Sequence, residues 1–250
     1  MSTVECMTWN VHRCRGRDGI VAPDRTVDAL LDIVRETPAD LVVLTEADGE
    51  LPPYGAIIDL DRVATATGLA TAHADVSLRW GEGSHGFLGT VVLHGSKLEL
   101  MGGHLLDLPG RYPRGATILT FRCPSHVFRV VATHLSLWQA LRAVQMRAIG
   151  QYLARHEVLP TLLIGDLNEW RPWGGFAFSE VVVGQSFVGP ARRSFPAAMP
   201  LLPLDRIMAA GPAKVVAASI PSAPALRRMS DHLPLQATVL LGQGPRSRSG

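Results

Sequence analysis

The stretch Leu162-Leu163-Ile164-Gly165-Asp166-Leu167-Asn168 decides how this chain is read. Its apolar part has the composition of a strand buried on both faces, and it breaks off abruptly into Gly-Asp-x-Asn. The tip of such a strand delivers a carboxylate and an amide side by side. A second string, Ser230-Asp231-His232, sets a carboxylate beside an imidazole just ahead of another apolar run, Leu235 to Leu241. Groups of this kind hold a hard cation and a phosphate oxygen together. If the two strings meet in space, the chain is a metal-dependent phosphoester hydrolase.

Outward from these strings the same punctuation recurs. Val4 to Val11 reads as a strand ending at Asn10. Pro23-Asp24 then opens a helix with Asp24 as candidate N-cap, and Val27, Leu30, Leu31 and Val34 form its buried face. Asp40 to Leu44 is a short apolar strand whose end presents Thr45-Glu46. Asp59 to Thr67 reads as a second helix. Leu69 to Val76, Phe87 to His94, Leu98 to Leu105, Thr117 to Cys123 and Val127 to Thr133 are strand-like runs between Gly and Pro turns, a pattern of antiparallel sheet. Trp138 to Arg155 reads as a helix with Leu141, Val144, Ala148 and Tyr152 on one face. Pro160 to Ile164, Pro200 to Met208, Ala213 to Ile220 and Leu235 to Leu241 supply further strands. Residues 1–242 read as one domain and 243–250 as a disordered basic tail.

Composition narrows the partners. Of 250 residues, 47% are hydrophobic and 18% charged, enough apolar material for a sizeable core. The net charge of +2 carries no signature of strong, general nucleic-acid binding. Cys6, Cys14 and Cys123 lack metal-type spacing and read as thiols in a reducing compartment. The N-terminal residues show no basic and apolar leader pattern, and no apolar run is long enough to span a bilayer. The expected location is the cytoplasm, and the expected state a monomer without a stable protein partner.

Polar candidates stand at the ends of several predicted strands: Asn10, Glu46, His134, Asp166 with Asn168, Asp205, and Asp231 with His232. Singly, each is ordinarily a turn former, a cap or a hydrogen-bonded structural residue. Jointly they carry a resemblance. Thr8-Trp9-Asn10-Val11-His12, Asp40 to Glu46, Pro113-Arg114-Gly115-Ala116, Thr133-His134-Leu135 with Arg142 and Gln145, Ile164 to Asn168, Pro203 to Ile207 and Ser230 to Pro234 follow one another across nearly the whole chain. In this order they resemble the endonuclease/exonuclease/phosphatase superfamily, which includes pancreatic-type deoxyribonucleases, apurinic-site endonucleases, bacterial sphingomyelinases and inositol-polyphosphate 5-phosphatases.

The resemblance implies an α+β fold: a four-layer α/β/β/α sandwich of two mainly antiparallel sheets, helices on both outer faces and the site at one rim. It implies Mg²⁺, with Mn²⁺ as an alternative, on Glu46 with Asn10 and Asp231 nearby. Asp166 would orient or deprotonate the attacking water and Asn168 help fix the phosphate. His134 and His232 would donate to phosphoryl oxygens, with Asp205 setting the tautomer of His232. The implied substrate is a phosphodiester, either nucleic acid or a phospholipid or other small phosphodiester. A phosphatase of the same superfamily and a non-catalytic phosphate-binding scaffold are the alternatives. Arg13, in the basic loop from His12 to Arg17, and Arg114 are candidate phosphate contacts, with a solvated loop or a turn as the other reading. Thr45 stands where the superfamily usually has Gln, its hydroxyl left to bond locally. Arg206 replaces an aromatic residue or His and could reach a phosphate. Glu82, in an expected mobile loop from Trp80 to Gly86, is not expected to support His134.

Overall fold

Strands that alternate between two apolar surroundings dominate the computed structural model, which describes residues 2–242. The tail expected for 243–250 lies outside the described residues. In chain order the elements are β1 (Ser2–Asn10), α1 (Pro23–Glu36), β2 (Leu41–Thr45), α2 (Leu60–Thr67), β3 (Ala70–Thr71), β4 (Val91–His94), β5 (Glu99–Leu108), β6 (Arg114–Cys123), β7 (His126–Thr133), α3 (Gln139–Ala154), β8 (Thr161–Asp166), α4 (Glu180–Val183), β9 (Asp205–Ala210), β10 (Ala213–Ser219), α5 (Leu226–Met229) and β11 (Leu235–Leu241). One sheet has six strands in the order β10-β11-β1-β2-β4-β3, and the other five in the order β5-β6-β7-β8-β9. The only parallel pairs among the described residues are β1 with β2 and β7 with β8. Parallel neighbours need a crossover, and α1 and α3 supply the two.

The layers follow from the period of two along each strand. Val4, Cys6, Leu41, Val43, Phe128, Val130, Ala132, Leu162, Ile164, Ile207 and Ala209 point into the space between the sheets. Met7, Trp9, Val42 and Leu44 point the other way, onto Val27, Leu30 and Ile33 of α1. Val131, Leu163 and Met208 pack outward on Met146, Ile149 and Leu153 of α3. Helix, sheet, sheet and helix are therefore held by three apolar seams, each fully buried aliphatic side chain contributing roughly 1.5 to 3 kcal/mol. The expected four-layer sandwich is the observed fold.

The same parity places the chemistry. Continuing the inward series of β1 arrives at Asn10, that of β7 at His134, and that of β8 at Asp166, while that of β9 begins at Asp205. At one rim the central seam stops being apolar and becomes a cluster of amide, carboxylate and imidazole.

Several local expectations change. Asp24 does not cap α1: Ala22 precedes the helix without a side-chain cap, Pro23 opens it, and Asp24 lies in the first turn, where a carboxylate favours the helix dipole. The buried face of α3 is Arg142, Gln145, Met146, Ile149, Gly150 and Leu153, not the Leu141–Val144–Ala148–Tyr152 stripe, of which Val144 is 53% exposed. Apolar spacing misleads there because neighbouring loops satisfy the two polar residues. Gln145 accepts from the Ser136 amide at 2.8 Å and donates to the Pro109 carbonyl at 3.0 Å, and Arg142 donates to the Ser136 and Leu137 carbonyls. The strand expected from Leu69 is only Ala70–Thr71, and that from Phe87 begins at Val91, because Phe87 and Thr90 close a tight turn over Leu88 and Gly89, both at positive φ. The strand expected from Pro200 begins at Asp205.

Gly165 explains the glycine of Gly-Asp-x-Asn. Its φ is +141°, and a Cβ there would lie 2.0 Å from the Thr133 carbonyl oxygen. Only a bare backbone lets β8 slide past the end of β7 so that Asp166 arrives beside His134. Gly68, at φ +72° after α2, has open space around it. Chemical denaturation of Gly165→Ala is expected to show a loss of at least about 3 kcal/mol, against about 1 kcal/mol for Gly68→Ala, which meets backbone strain alone. Equal losses would refute the steric account.

Candidate active site

Left-handed backbone delivers the site side chains. After Asn10 the chain turns through His12, Arg13 and Cys14 at φ of 48°, 52° and 58°; Glu46, just past β2, has φ 54°, and Asn168, just past β8, has φ 51°. For non-glycine residues this region costs about 1 to 2 kcal/mol each. Hydrogen bonds hold the strained turns. Asn10 Oδ1 accepts the His12 amide at 3.0 Å, the Arg13 amide donates to the Glu46 carbonyl at 2.9 Å, and Ala47 donates to the Gly89 carbonyl at 2.9 Å.

Asp166 is the hub. Its side chain is buried, and Oδ1 accepts the Asn168 amide at 3.0 Å. Oδ2 accepts Asn10 Nδ2 at 2.9 Å and lies 3.5 Å from His134 Nε2 and 3.8 Å from His232 Nε2. Asn168 also donates through Nδ2 to the Leu135 carbonyl at 2.9 Å, which ties the loop after β7 to the one after β8.

The two imidazoles differ in charge. His232 Nδ1 donates to Asp205 Oδ2 at 2.7 Å, and Ser194 Oγ donates to the same oxygen at 2.5 Å. Burial by itself lowers the His232 pKa, but Asp205 above all, then Asp166, outweigh it and raise the value from 6.5 to about 10. His134 has no private carboxylate. Burial lowers it to about 3; Asp166 opposes this, whereas Arg114, His232 and Arg13 reinforce it. Near neutral pH, His232 is a cationic donor and His134 a neutral ring. Because the folded-state value of His232 lies above 6.5, the stabilisation from its pairing is complete below that pH and is lost as pH rises through about 10.

Glu46 lines a cavity of about 90 Å³ together with Arg13, Arg114 and, from the cluster, His134. Arg13 donates to Glu46 Oε2 at 2.6 Å, Asn10 Nδ2 lies 3.4 Å from Oε1, and His134 Nδ1 lies 3.9 Å from Oε1. Arg114, at the start of β6, is pulled below the usual guanidinium value by burial, against the opposing charges of Glu46 and Asp166. Asp231 Oδ1 lies 3.6 Å from His12 Nδ1. Its neighbour Ser230 donates to the Asn10 carbonyl at 2.7 Å, and Trp9 Nε1 donates to the His232 carbonyl at 3.1 Å, so the 230–232 segment is moored to β1. Glu46 and Asp231 offer carboxylate oxygens of the kind a hard divalent cation takes, whereas Asn10 turns Nδ2 toward Glu46 and Asp166 and its Oδ1 accepts the His12 amide. Among the described residues, the one group of three acidic or histidine side chains whose ligand atoms lie within 4.8 Å of one another is Asp166, Asp205 and His232, which does not include Glu46 or Asp231.

Other expectations resolve differently. Arg206 does not reach the site; it is buried on the opposite face of β9 and donates to the Arg171 and Pro172 carbonyls, its parity being that of Met208. The Thr45 hydroxyl is buried without a hydrogen-bond partner and gives Glu46 no support. Glu82 is exposed, and the segment around it is pinned where Asp48 accepts the His85 and Gly86 amides at 3.0 and 3.1 Å. Sequence reasoning missed Asp48, Ser194 and Glu169. Glu169 is buried between Arg142 and Arg171, at 3.1 and 2.8 Å. Its position directly after Gly-Asp-x-Asn was the one available signal.

A helix-flanked double sheet whose central seam ends in such a cluster is the architecture of one class of phosphoester hydrolase. The chain belongs to the Endonuclease/Exonuclease/phosphatase family, whose sequence profile matches residues 7–232. Family members are typically hydrolases acting on phosphoester bonds. The uncharacterized protein YbhP of Escherichia coli (strain K12) is 29% identical over 254 residues, which cover 94% of this chain and 95% of YbhP. The fold is shared with an endonuclease/exonuclease/phosphatase from Bacteroides vulgatus, with a TM-score of 0.71 at 16% identity over 97% of this chain and 100% of that one. It is shared too with truncated Caenorhabditis elegans TDP2, with a TM-score of 0.67 at 17% identity over 95% and 97%. Among the described residues no helix is long and apolar enough to cross a membrane.

The charge assignment is open to imidazole NMR of the metal-free protein. His232 is expected to titrate near pH 10 and His134 to stay neutral down to about pH 3. Asp205→Asn is expected to bring the His232 titration down by several units, since burial then acts with less opposition. A His232 that titrates near 6.5 in both proteins would contradict the pairing.

Proposed function

We propose that this chain is a Mg²⁺-dependent phosphodiesterase, with Mn²⁺ as an alternative ion, that attacks phosphorus with water. The observation that carries this reading is the convergence of Asn10, His134 and His232, from three separate parts of the chain, on one oxygen of Asp166. Glu46 would hold the cation, with Asp231 as a further oxygen donor beside the end of β1. A hard cation, when bound, neutralises charge on a phosphoryl oxygen.

The remaining work falls to the chain's own groups. Asp166 is an acceptor held rigid by Asn10 and the Asn168 amide, suited to orient a water and take its proton. His232 carries a positive charge that Asp205 maintains, so its Nε2–H strengthens its hold on a phosphoryl oxygen as negative charge develops there. His134, as a neutral ring, donates without adding charge beside Asp166. Arg114 and Arg13 line the cavity with guanidinium groups whose paired donors match phosphate oxygens. Asn168 fixes the loop after β8 and keeps its amide near the reacting centre.

Two measurements test the reading. Purified protein with Mg²⁺ or Mn²⁺ is expected to hydrolyse a chromogenic phosphodiester and to lose that activity in EDTA. Asp166→Ala and His232→Ala are each expected to lower kcat by about 10²- to 10⁴-fold. Turnover indifferent to both substitutions would refute the site, and no turnover on nucleic acid, lipid or chromogenic diesters would leave the phosphate-binding scaffold as the better reading. Separately, a cation on Glu46 must displace Arg13. Calorimetry with Mn²⁺ alone is expected to show about fivefold tighter binding to Arg13→Ala than to the parent chain. Weaker binding to the variant would place the cation elsewhere.

A further inference from the structure

On the face of β9 opposite Asp205, Arg206 is a cation without a counter-charge. It is 1% exposed. Nη1 and Nη2 donate only to the Arg171 and Pro172 carbonyls, at 3.4 and 3.1 Å, and the buried Nε has no partner. Among the described residues no carboxylate forms an ion pair with it. Glu169, the acid whose charge reaches it, is already held by Arg142 at 3.1 Å and by Arg171 at 2.8 Å, so three guanidinium groups meet one carboxylate. Burial pulls the Arg206 value down to about 10, with Glu169 opposing. A buried cation that meets carbonyl dipoles alone is incompletely compensated, and an anion placed beside it recovers what desolvation costs.

There is a place for one. Arg206 lines a cavity of about 330 Å³ that shares no residue with the catalytic cavity. Phe178, Phe187 and Met208, all buried, form an apolar wall, and the exposed Trp173 stands over the same space. Gly175 keeps the ion cluster close to the cavity: a Cβ there would lie 2.8 Å from both Glu169 Oε2 and the Arg171 guanidinium carbon. Glu180 also lines the cavity, but it is exposed, so water screens its charge, and among the described residues it forms no ion pair.

These walls select their occupant. A carboxylate offers two acceptor oxygens to a guanidinium, and rings with a thioether pack against an apolar body. A compact inorganic anion would satisfy the charge and leave the apolar wall wet, whereas a neutral aromatic compound would leave the cation as it is. We infer that the cavity between Arg206 and Trp173 is a binding site for a small organic anion, a carboxylate carried on an aromatic or other apolar body. The site is separate from the proposed reaction and does not depend on it.

Titration calorimetry of the full chain in metal-free buffer tests this with benzoate, with benzamide, which lacks the charge, and with acetate, which lacks the ring. Benzoate is expected to bind about tenfold tighter than either. Arg206→Met is expected to abolish the advantage over benzamide, and Arg206→Lys to keep part of it. Because Arg206 is buried, Trp173→Ala provides a second variant: Trp173 is 77% exposed, so its loss does not threaten folding, and benzoate binding is expected to weaken about fivefold. Saturating inorganic phosphate is expected to leave benzoate binding unchanged. Equal binding of benzoate and benzamide, acetate binding as tight as benzoate, displacement by phosphate, indifference to Trp173→Ala, a folded Arg206→Met that binds like the parent chain, or no benzoate binding would each overturn the site.

Discussion

A carboxylate almost wholly removed from water, that of Asp166, is the constraint on which the rest of the molecule depends. An isolated buried charge of this kind costs several kcal/mol, and the cost is offset only where donors and cations close around it. Here the donors come from β1, from the loop after β7, from the backbone just beyond β8, and from the 230–232 segment ahead of β11. Those parts are distant in sequence and lie in both sheets. Satisfying one side chain therefore demands that the two sheets pack face to face in one register, and the apolar seam between them and the polar cluster at its rim are one structural problem.

Much of this is legible in the residues. Strands buried on both faces give unbroken apolar runs, so Leu41 to Leu44 and Leu162 to Ile164 announce themselves and their polar ends stand out. Parity also sorts residues that motif matching confuses. With Asp205 facing inward, Arg206 must face outward, where it bonds backbone carbonyls. Other features have no local signature. The left-handed turn at His12, Arg13 and Cys14 contains no glycine, so nothing in its composition indicates that Arg13 folds back onto Glu46. The face of α3 was misread because Arg142 and Gln145 find partners only once the loops from Pro109 and Ser136 are in place. Ser194 supports Asp205 from a stretch without regular structure.

The pair of imidazoles shows how environment divides one chemistry into two. His134 and His232 are buried to a similar degree and face the same oxygen. A carboxylate and a hydroxyl behind one ring, and a guanidinium facing the other, are enough to separate their protonation states near neutrality. A site arranged this way offers a charged donor and a neutral one on either side of a shared acceptor, which neither histidine would provide alone.

The alternation of inward and outward residues along β1, β7, β8 and β9 also limits how this chain can have diverged. A substitution in a seam changes one contact, but a single-residue insertion or deletion between seam and rim exchanges the two faces for everything beyond it. Asn10, His134 or Asp166 would then turn toward a helix, and an aliphatic neighbour would enter the site. Length changes are therefore accommodated in the connections, and the strand segments act as fixed spacers between apolar seam and polar rim.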